Sequence, residues 1–469
     1  MALNSFLFLL LFLPAVLIVQ VLLQKYGGRQ WPEVWLLAAS LSFYGFEGFA
    51  QLPFLIGSIV CNWWIARMMV SGAGEIRRKW ILQIGLTVNI AFLCVIKYAN
   101  FVLGSVAALH GPQITLPHWG PPLGISFFTL TQIMYLVDTY QGLNQPNSLL
   151  DHATLVSLFP YITAGPLVRS RKIVPQFTKF QFEESRSERG CRGLYLFSIG
   201  LAKKVVIADS FARIVDAGFA SMKYSSTLEA WVYTLSFTFQ IYFDFSGYSD
   251  MAQGAAWMLG IDIPQNFDAP YRSRSITDFW GRWHISLSNF ITDYLYTPIL
   301  RSLGRATLAT SAIAILIAMG IVGLWHGPAW TFVIFGLLHG LGLATNQVWK
   351  KRKLKMTGWL AWTLTFAFVN IAFCFFRSPS IPIALDLLKA MVPQRDLFGV
   401  DAIRGIFSWA DAPRMAIGVV AAFAFQTSSE MAASFRPTRM AAGVTFALIV
   451  ISWFFMGSSP AKQFIYRGF

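Results

Sequence analysis

Three histidines are the residues of this chain best suited to chemistry. They lie in aromatic, glycine-containing stretches, at His284, His326 and His339. The other histidines lie in loop-like stretches where we expect them to be solvated: His110, His118 and His152. An imidazole titrates near neutral pH, so it can take a proton from a hydroxyl or thiol nucleophile and return it to a leaving group. Acyl transfer requires proton movements of this kind.

An ionisable ring inside a long apolar run is costly, and both His326 and His339 lie in such runs. A histidine there either faces a cavity or partner in a functional site, or donates a structural hydrogen bond between helices. The residue pattern leaves both roles open for these two histidines. It favours a structural role for His284.

Two carboxylates also lie between apolar runs, Asp244 and Asp250 in the stretch "YFDFSGYSDMAQG". Either could orient a histidine or bind a polar substrate. Alternatively they hydrogen-bond helix ends, because Ser246, Gly247 and Ser249 predict a helix break at this point. The sequence leaves both roles open.

Other kinds of catalytic site have weaker support. There is no HExxH motif, and the thirteen-residue separation of His326 and His339 is not a metal-ligand spacing. The G-x-S-x-G motif, the P-loop and the dinucleotide-binding fingerprint are absent from the sequence. We therefore predict no metal site and no bound cofactor.

The elements that hold these residues are expected to be membrane helices. Of the 469 residues, 55% are hydrophobic and 13% charged, and the mean hydropathy is +0.54. The apolar runs are long and unbroken, without the alternation of barrel strands, which predicts helices. Lys and Arg total 37 against 22 Asp and Glu, but they cluster in short loops. This placement indicates anchoring to the lipid bilayer rather than nucleic-acid binding.

Charge placement also predicts the course of the chain. Basic loops near 75–80, 169–192 and 350–355 lie in the cytoplasm by the positive-inside rule, which puts the N-terminus outside. Residues 306–349 then form an outgoing and a returning helix, with "WHGPAW" at the turn. Gly327 and Pro328 break the helix there. This puts His326 toward the outer end of its helix and His339 near mid-membrane.

We expect one integral membrane domain over residues 1–469, because no repeat or low-complexity linker divides the chain. Residues 263–305 differ in character from the apolar runs. They are aromatic and mixed in charge, with apolar positions at helical spacing from Phe279 to Leu300. This pattern predicts an amphipathic segment on the cytoplasmic side rather than a span.

Five motifs occur in an order that is specific as a set. They are "PLGISFFTLTQIMYLVDTY" (122–140), "FPYITAGPLVR" (159–169), "FDFSGYSDMAQG" (243–254), "NFDAPYRSRSITDFWGRWHISLSNFITDYLYTPI" (266–299) and "LWHGPAWTFVIFGLLHG" (324–340). The set closely resembles the membrane-bound O-acyltransferase family. The resemblance covers about residues 40–380 and is nearest to the bacterial branch that O-acetylates polysaccharides.

The resemblance implies an all-α polytopic fold, a ring of about 11 or more transmembrane and re-entrant helices with a thin centre and a through-tunnel. It implies that His326 is the catalytic histidine and His284 its catalytic partner. The side chains then expected to line the tunnel or contact substrate are Asp244, Asp250, Arg282, Trp283, Asn289, Trp325 and His339.

The implied function is O-acetyl transfer in the bacterial inner membrane. Acetyl would come from a cytoplasmic donor, acetyl-CoA, and pass toward an exopolysaccharide, alginate or bacterial cellulose. The implied partners are a periplasmic or membrane-anchored SGNH-type acetyltransferase and a polysaccharide synthase complex.

Three other functions stay open at this point. The branch that transfers D-alanine to teichoic acids shares the "WHG" and "RWHISLS" motifs. A transporter of activated acyl groups would also contain broken helices with polar residues inside the membrane. A scaffold for an outer acetyltransferase would need no chemistry of its own.

Overall fold

The computed structural model describes residues 1–28, 30–71, 74–110, 120–179, 186–221, 226–393, 411–458 and 464–465. Every regular element within these ranges is a helix. The predicted all-α fold class is therefore confirmed. His110 ends a helix, whereas His118 lies outside the described residues.

The α-helices in chain order are α1 (Leu13–Tyr26), α2 (Trp31–Gly45), α3 (Leu52–Val70), α4 (Glu75–Leu93), α5 (Ala99–His110), α6 (Ile125–Tyr140), α7 (Leu149–Ser157), α8 (Ser170–Lys179), α9 (Arg186–Ala202), α10 (Asp209–Ser221), α11 (Thr227–Leu259), α12 (Ile276–Arg282), α13 (Ile285–Phe290), α14 (Thr297–Ser302), α15 (Leu308–His326), α16 (Trp330–Lys351), α17 (Gly358–Arg377), α18 (Ile381–Ala390), α19 (Ala412–Ala424), α20 (Ser428–Ala433) and α21 (Arg439–Ser458). Short π-helical turns extend four of them, at Phe8–Phe12, Cys94–Tyr98, Lys203–Ala208 and Ile291–Tyr296. Two 3-10 turns lie at Phe49–Gln51 and Pro270–Arg272.

Seven helical segments in the described ranges are long and apolar enough to cross a bilayer. They are Phe8–Tyr26, Phe49–Val70, Glu75–Ala108, Leu308–His326, Trp330–Lys351, Gly358–Arg377 and Arg439–Gly457. A span needs about 20 apolar residues because the hydrocarbon core is about 30 Å thick. The chain is accordingly a multi-pass membrane protein.

The described chain forms two compact units, and the single domain that the sequence predicts stays a prediction. The first unit comprises residues 1–197, 251–264 and 436–442. In its core, Asn62 and Asn89 exchange side-chain hydrogen bonds of 3.2 and 2.6 Å between α3 and α4. Phenyl rings pack on one another beside α1, namely those of Phe8, Phe12, Phe43, Phe159 and Phe197.

The solvated position expected for His152 is wrong. Ser148 and Asp151 form a capping box that begins α7. Helix α7 therefore starts before His152, and its imidazole is fully buried. The ring packs on Tyr135 with the ring centroids 4.1 Å apart.

The second unit comprises residues 198–250, 265–435 and 443–469. Its helices α15 and α16 form a hairpin joined by residues 327–329. Gly323 and Gly336 allow this pair to pack closely. A Cβ atom on Gly336 would lie 2.2 Å from the Met319 carbonyl oxygen, and one on Gly323 would lie 2.3 Å from that of Phe332. Small residues serve the same purpose in many membrane helix pairs.

The helix break expected beside Asp244 and Asp250 is wrong, since α11 runs unbroken from Thr227 to Leu259. Gly247 serves close packing instead, because a Cβ atom there would lie 2.7 Å from the carbonyl oxygen of Gly200. Residues 263–305 form short helices, α12 to α14, and none of the candidate spans falls within them.

Candidate active site

His326 is the last residue of α15, at the interruption in the hairpin. The break predicted at Gly327 and Pro328 is confirmed, because α16 starts only at Trp330. The imidazole is 4% exposed. It is surrounded by aromatic edges and faces, with centroid distances of 5.0 Å to Trp325, 5.9 Å to Phe335 and 5.2 Å to Phe376. The lining of the ring is therefore apolar, and little of the ring is exposed.

His339 lies mid-way along α16 and is fully buried. The indole Nε1–H of Trp280 donates a hydrogen bond of 3.2 Å to its Nδ1. A neutral imidazole that accepts at Nδ1 carries its proton on Nε2. Phe335 packs on this ring at 4.7 Å as well as on His326. One phenyl ring therefore contacts both histidines of the hairpin.

His284 lies between α12 and α13 in the left-handed region, with φ 45° and ψ 54°. Non-glycine residues are uncommon in this conformation, although histidine adopts it more readily than most, and such backbone conformations cluster at functional sites. Its ring is fully buried and packs edge-on against Phe245 at 4.6 Å. Neither ring nitrogen has a hydrogen-bond partner in the described part of the chain. Burial lowers the pKa of His284 to about 3, so the ring is neutral at physiological pH.

Asn266 holds the strained turn at His284. Its carbonyl oxygen accepts a 3.0 Å hydrogen bond from the N–H of Ile285. Its side-chain Oδ1 accepts two more from Ser286, 3.2 Å from the backbone N–H and 2.6 Å from Oγ. Asn266 itself is 2% exposed. The residues after the turn are thus fixed at both backbone and side chain.

A continuous row of aromatic side chains connects the surroundings of His326 with those of His284. Successive rings are 5.0 to 5.9 Å apart between centroids. In order from His326, the row consists of Phe335, Phe373, Trp283, Phe267 and Phe245. Of the residues that the sequence singles out, the second unit thus brings Trp325, His326, His339, Trp283 and His284 into one aromatic region.

The two carboxylates of α11 are engaged by lysines. Asp250 forms a 2.8 Å ion pair with Lys203, and Asp244 one of 2.6 Å with Lys204. Asp244 also accepts a hydrogen bond of 2.9 Å from the backbone N–H of Ile465. Burial lowers the pKa of Lys203, but Asp250 and Tyr242 outweigh this and raise it overall. Lys203 is therefore charged.

Arg282 and Asn289 are the other two polar residues that the resemblance singles out. Arg282 is half-buried and pairs with Asp278 at 2.8 Å and with Asp268 at 3.4 Å. Asn289 is exposed. Among the described residues, no group of three or more His, Cys, Asp or Glu side chains could hold a metal ion.

The sequence analysis did not predict four residues that contribute to the site, namely Asn266, Trp280, Phe335 and Phe376. A signal existed for two of them, since Asn266 opens the "NFDAPY" stretch and Trp280 lies in "DFWGRWH". The contacts themselves span 20 residues from Asn266 to Ser286 and 59 from Trp280 to His339. No local periodicity encodes them.

Comparison with known families identifies the family of the chain. The profile of the MBOAT, membrane-bound O-acyltransferase, family matches residues 73–380. The chain belongs to this family. Membership makes the protein an acyltransferase, and the match includes all three histidines of the aromatic region.

Several bacterial acyltransferases are similar in sequence to the chain. A peptidoglycan O-acetyltransferase of Helicobacter pylori is 39% identical over 420 residues, which cover 83% of this chain and 79% of that protein. A probable alginate O-acetylase AlgI of Pseudomonas aeruginosa is 36% identical over 401 residues, covering 83% and 75%. A teichoic acid D-alanyltransferase of Bacillus subtilis is 28% identical over 269 residues, covering 54% and 68%. The resemblance to the bacterial polysaccharide O-acetylation branch is thus confirmed.

Proposed function

We propose that this membrane-bound O-acyltransferase takes acetyl from acetyl-CoA in the cytoplasm and passes it across the bacterial inner membrane toward O-acetylation of a polysaccharide. One observation carries the proposal. His326, the histidine of the "WHG" motif, is buried among aromatic rings at an interruption between two spans. A base in a dry site at a helix break suits transfer of a small acyl group between two polar substrates.

In the proposed reaction, neutral His326 takes the proton of the acceptor hydroxyl. The oxygen attacks the thioester carbonyl, a C–O bond forms and the C–S bond breaks. The imidazolium then returns its proton to the leaving CoA thiolate. The aromatic rings around His326 exclude water, which would otherwise compete with the acceptor hydroxyl.

The other buried histidines have supporting roles in this proposal. His284 acts with His326 as the second catalytic histidine, at the far end of the aromatic row. Neither nitrogen of its neutral ring has a hydrogen-bond partner in the described part of the chain. One nitrogen can therefore donate a hydrogen bond to a substrate, and the other can accept one. His339, Trp283 and Trp325 line the path of the acyl group, which crosses the thin centre of a helical ring through a tunnel.

The structural surroundings of the carboxylates favour a different role for them. Asp244 and Asp250 are paired with lysines, of which Lys204 is buried and Lys203 is 14% exposed at its side chain. A carboxylate held in this way is not available to bind a substrate without breaking its ion pair. We assign both carboxylates to the framework of α11. Arg282 is likewise held by ion pairs with Asp278 and Asp268, so we assign no substrate contact to it.

The partners follow from the chemistry of the acceptor. Acetyl delivered to the outer face needs a carrier hydroxyl, and we propose an SGNH-type acetyltransferase in the periplasm, working beside a polysaccharide synthase. We also propose that the N-terminus lies on the periplasmic side, as the basic loops predict. Relatives described as acting on peptidoglycan and alginate support a polysaccharide acceptor of this class. Cellulose stays a prediction of the sequence alone.

D-alanyl transfer is the second candidate, because teichoic acid D-alanyltransferases are also relatives. Those of Streptococcus thermophilus and Bacillus subtilis are 25% and 28% identical, against 36% and 39% for the acetylating relatives. The higher identity, together with the greater coverage, favours acetyl.

Membrane vesicles that contain the protein, its SGNH-type acetyltransferase partner and the polymer can test the donor. Acetyl-CoA labelled in the acetyl group and D-alanyl carrier protein labelled in alanine are supplied in parallel. We expect label in the polymer from acetyl-CoA alone, and none when His326→Ala replaces the wild type. His110→Ala, at the end of α5 in the other unit, is the matched control and keeps activity.

Label from the D-alanyl donor instead would replace the acetyl proposal with the second candidate. Full acetyl incorporation by His326→Ala would leave His326 without a catalytic role. A transporter would move the intact thioester, so recovery of uncleaved acetyl-CoA inside the vesicles would support that alternative.

A further inference from the structure

A groove with an apolar end and a basic end lies on the second unit, and none of the described residues that line it is a histidine. It has a volume of about 550 Å³ and lies between the start of α12 and the facing sides of α16 and α17. Leu341 and Leu364 form part of its apolar wall and are 53% and 52% exposed. Because α16 and α17 are candidate spans, this wall faces lipid.

The other end of the groove is basic. Among the described residues that line it, only Arg274 and Lys350 carry a formal charge, and both are positive. Lys350 lies at the end of α16 and begins the sequence "KKRKLK". Arg274 packs over Gly358, where a Cβ atom would lie 3.3 Å from Nη1 of the guanidinium. The two cations thus mark the point where the spans end.

The carboxylate of Asp278 does not neutralise this end. One oxygen accepts a 3.1 Å hydrogen bond from the backbone N–H of Arg274, and the other pairs with Arg282 at 2.8 Å. Thr345 and Asn346 add polar groups to the lining, and Asn346 accepts a hydrogen bond of 2.6 Å from Thr277. The groove therefore offers positive charge and polar groups at one end and hydrocarbon at the other.

We propose that this groove binds one anionic phospholipid, with the phosphate at Arg274 and Lys350 and an acyl chain along Leu341 and Leu364. Basic pockets between membrane helices recognise acidic headgroups by this charge complementarity. Trp349, which also lines the groove, suits the headgroup level because its ring is amphipathic. A zwitterionic lipid has a cationic group beside its phosphate and so gains less from the two cations.

The bound lipid would touch the surroundings of the candidate active site at one residue. Phe368 lines the groove, and its ring packs edge-on against His339 at 5.6 Å. The lipid would support this packing from outside. The proposal concerns binding and is independent of the donor that the enzyme uses.

Native mass spectrometry of the purified, delipidated full chain can test the proposal. The protein is titrated with phosphatidylglycerol or phosphatidylcholine of identical acyl chains. We expect one tightly bound phosphatidylglycerol, preferred about tenfold or more over phosphatidylcholine. The double variant Arg274→Gln/Lys350→Gln should lose this preference. Lys353→Gln/Lys355→Gln removes the same charge outside the groove and should keep it.

Three results would overturn the proposal. The first is equal retention of the two lipids by the wild type, and the second is unchanged preference in Arg274→Gln/Lys350→Gln. The third is displacement of phosphatidylglycerol by acetyl-CoA at equal concentration, which would assign the groove to the donor. Thermal unfolding of both double variants confirms that each is folded.

Discussion

At the residue scale, the site consists of three buried histidines that are held in different ways. His326 lies in an aromatic enclosure, His339 accepts a hydrogen bond from Trp280, and His284 occupies a strained turn. Residue type and sequence context identify all three. Residue type and context do not identify Asn266. Its hydrogen bonds with Ser286 join positions 20 residues apart and therefore form only in the completed fold.

Substitution of Asn266 tests whether this residue positions His284. Asn266→Ala leaves the buried donors of Ser286 without an acceptor, which costs about 1–3 kcal/mol of stability. We expect it also to release the turn at His284 and lower kcat for acetyl transfer. Asn266→Asp keeps an acceptor oxygen and should restore most of the activity.

A comparison of these variants in two backgrounds distinguishes a role of Asn266 in positioning His284 from a role in the stability of the fold alone. Thermal unfolding and kcat are measured for both variants, alone and combined with His284→Ala. If Asn266 acts through His284, its substitution has little further effect on kcat in the His284→Ala background. Independent, additive losses would refute the positioning role.

At the element scale, the hairpin of α15 and α16 could be predicted almost to the residue, because apolar runs and the Gly-Pro break mark its ends. The continuity of α11 could not. Ser246 and Gly247 suggest a break by local preference, yet close packing of Gly247 on Gly200 favours an intact helix. Tertiary contact overrides local propensity at such a position.

The hairpin provides a sharp test of close packing. Gly336→Ala places a methyl group 2.2 Å from the Met319 carbonyl oxygen, so the helices must move apart. We expect a fall in thermal stability and in acetyl transfer, because His326 ends the displaced helix. Gly320→Ala is the matched control, since its methyl group meets only a Leu337 side-chain carbon at 3.4 Å. Equal effects of the two would contradict this account.

The Asp250–Lys203 pair distinguishes a framework role from a substrate-binding role. Asp250→Asn alone leaves the mostly buried ammonium of Lys203 without its carboxylate, which costs up to about 3 kcal/mol. The double variant Asp250→Asn/Lys203→Met removes both charges. We expect it to recover stability and acetyl transfer relative to the single variant. Recovered stability without activity would instead assign Asp250 to substrate binding.

At the scale of the whole molecule, composition and basic loops suffice to predict a multi-pass helical membrane protein, and the motif set suffices to predict the family. The sequence does not predict the division into two compact units. Nor does it predict the aromatic row, because that row combines residues from α11, α16 and α17 with Phe267 and Trp283, which lie between helices. Such a site exists only once these helices pack.

The membrane topology of the chain can be tested by cysteine labelling. The N-terminal ammonium pairs with Glu47, so the loop after α2 lies at the same end as the N-terminus. In a variant with the four native cysteines replaced by serine, Phe49→Cys should react with an impermeant maleimide on intact spheroplasts. Lys353→Cys should react only after lysis. The reverse pattern would place the N-terminus in the cytoplasm.

The most direct test of the central claim measures acetyl transfer by the purified protein in lipid nanodiscs. Release of CoA thiol from acetyl-CoA is followed with an acceptor present, for the wild type and His326→Gln. The account predicts that His326→Gln unfolds at the wild-type temperature but releases CoA about 100-fold more slowly, since general base catalysis contributes 10²–10⁴-fold. An undiminished rate in His326→Gln would contradict it.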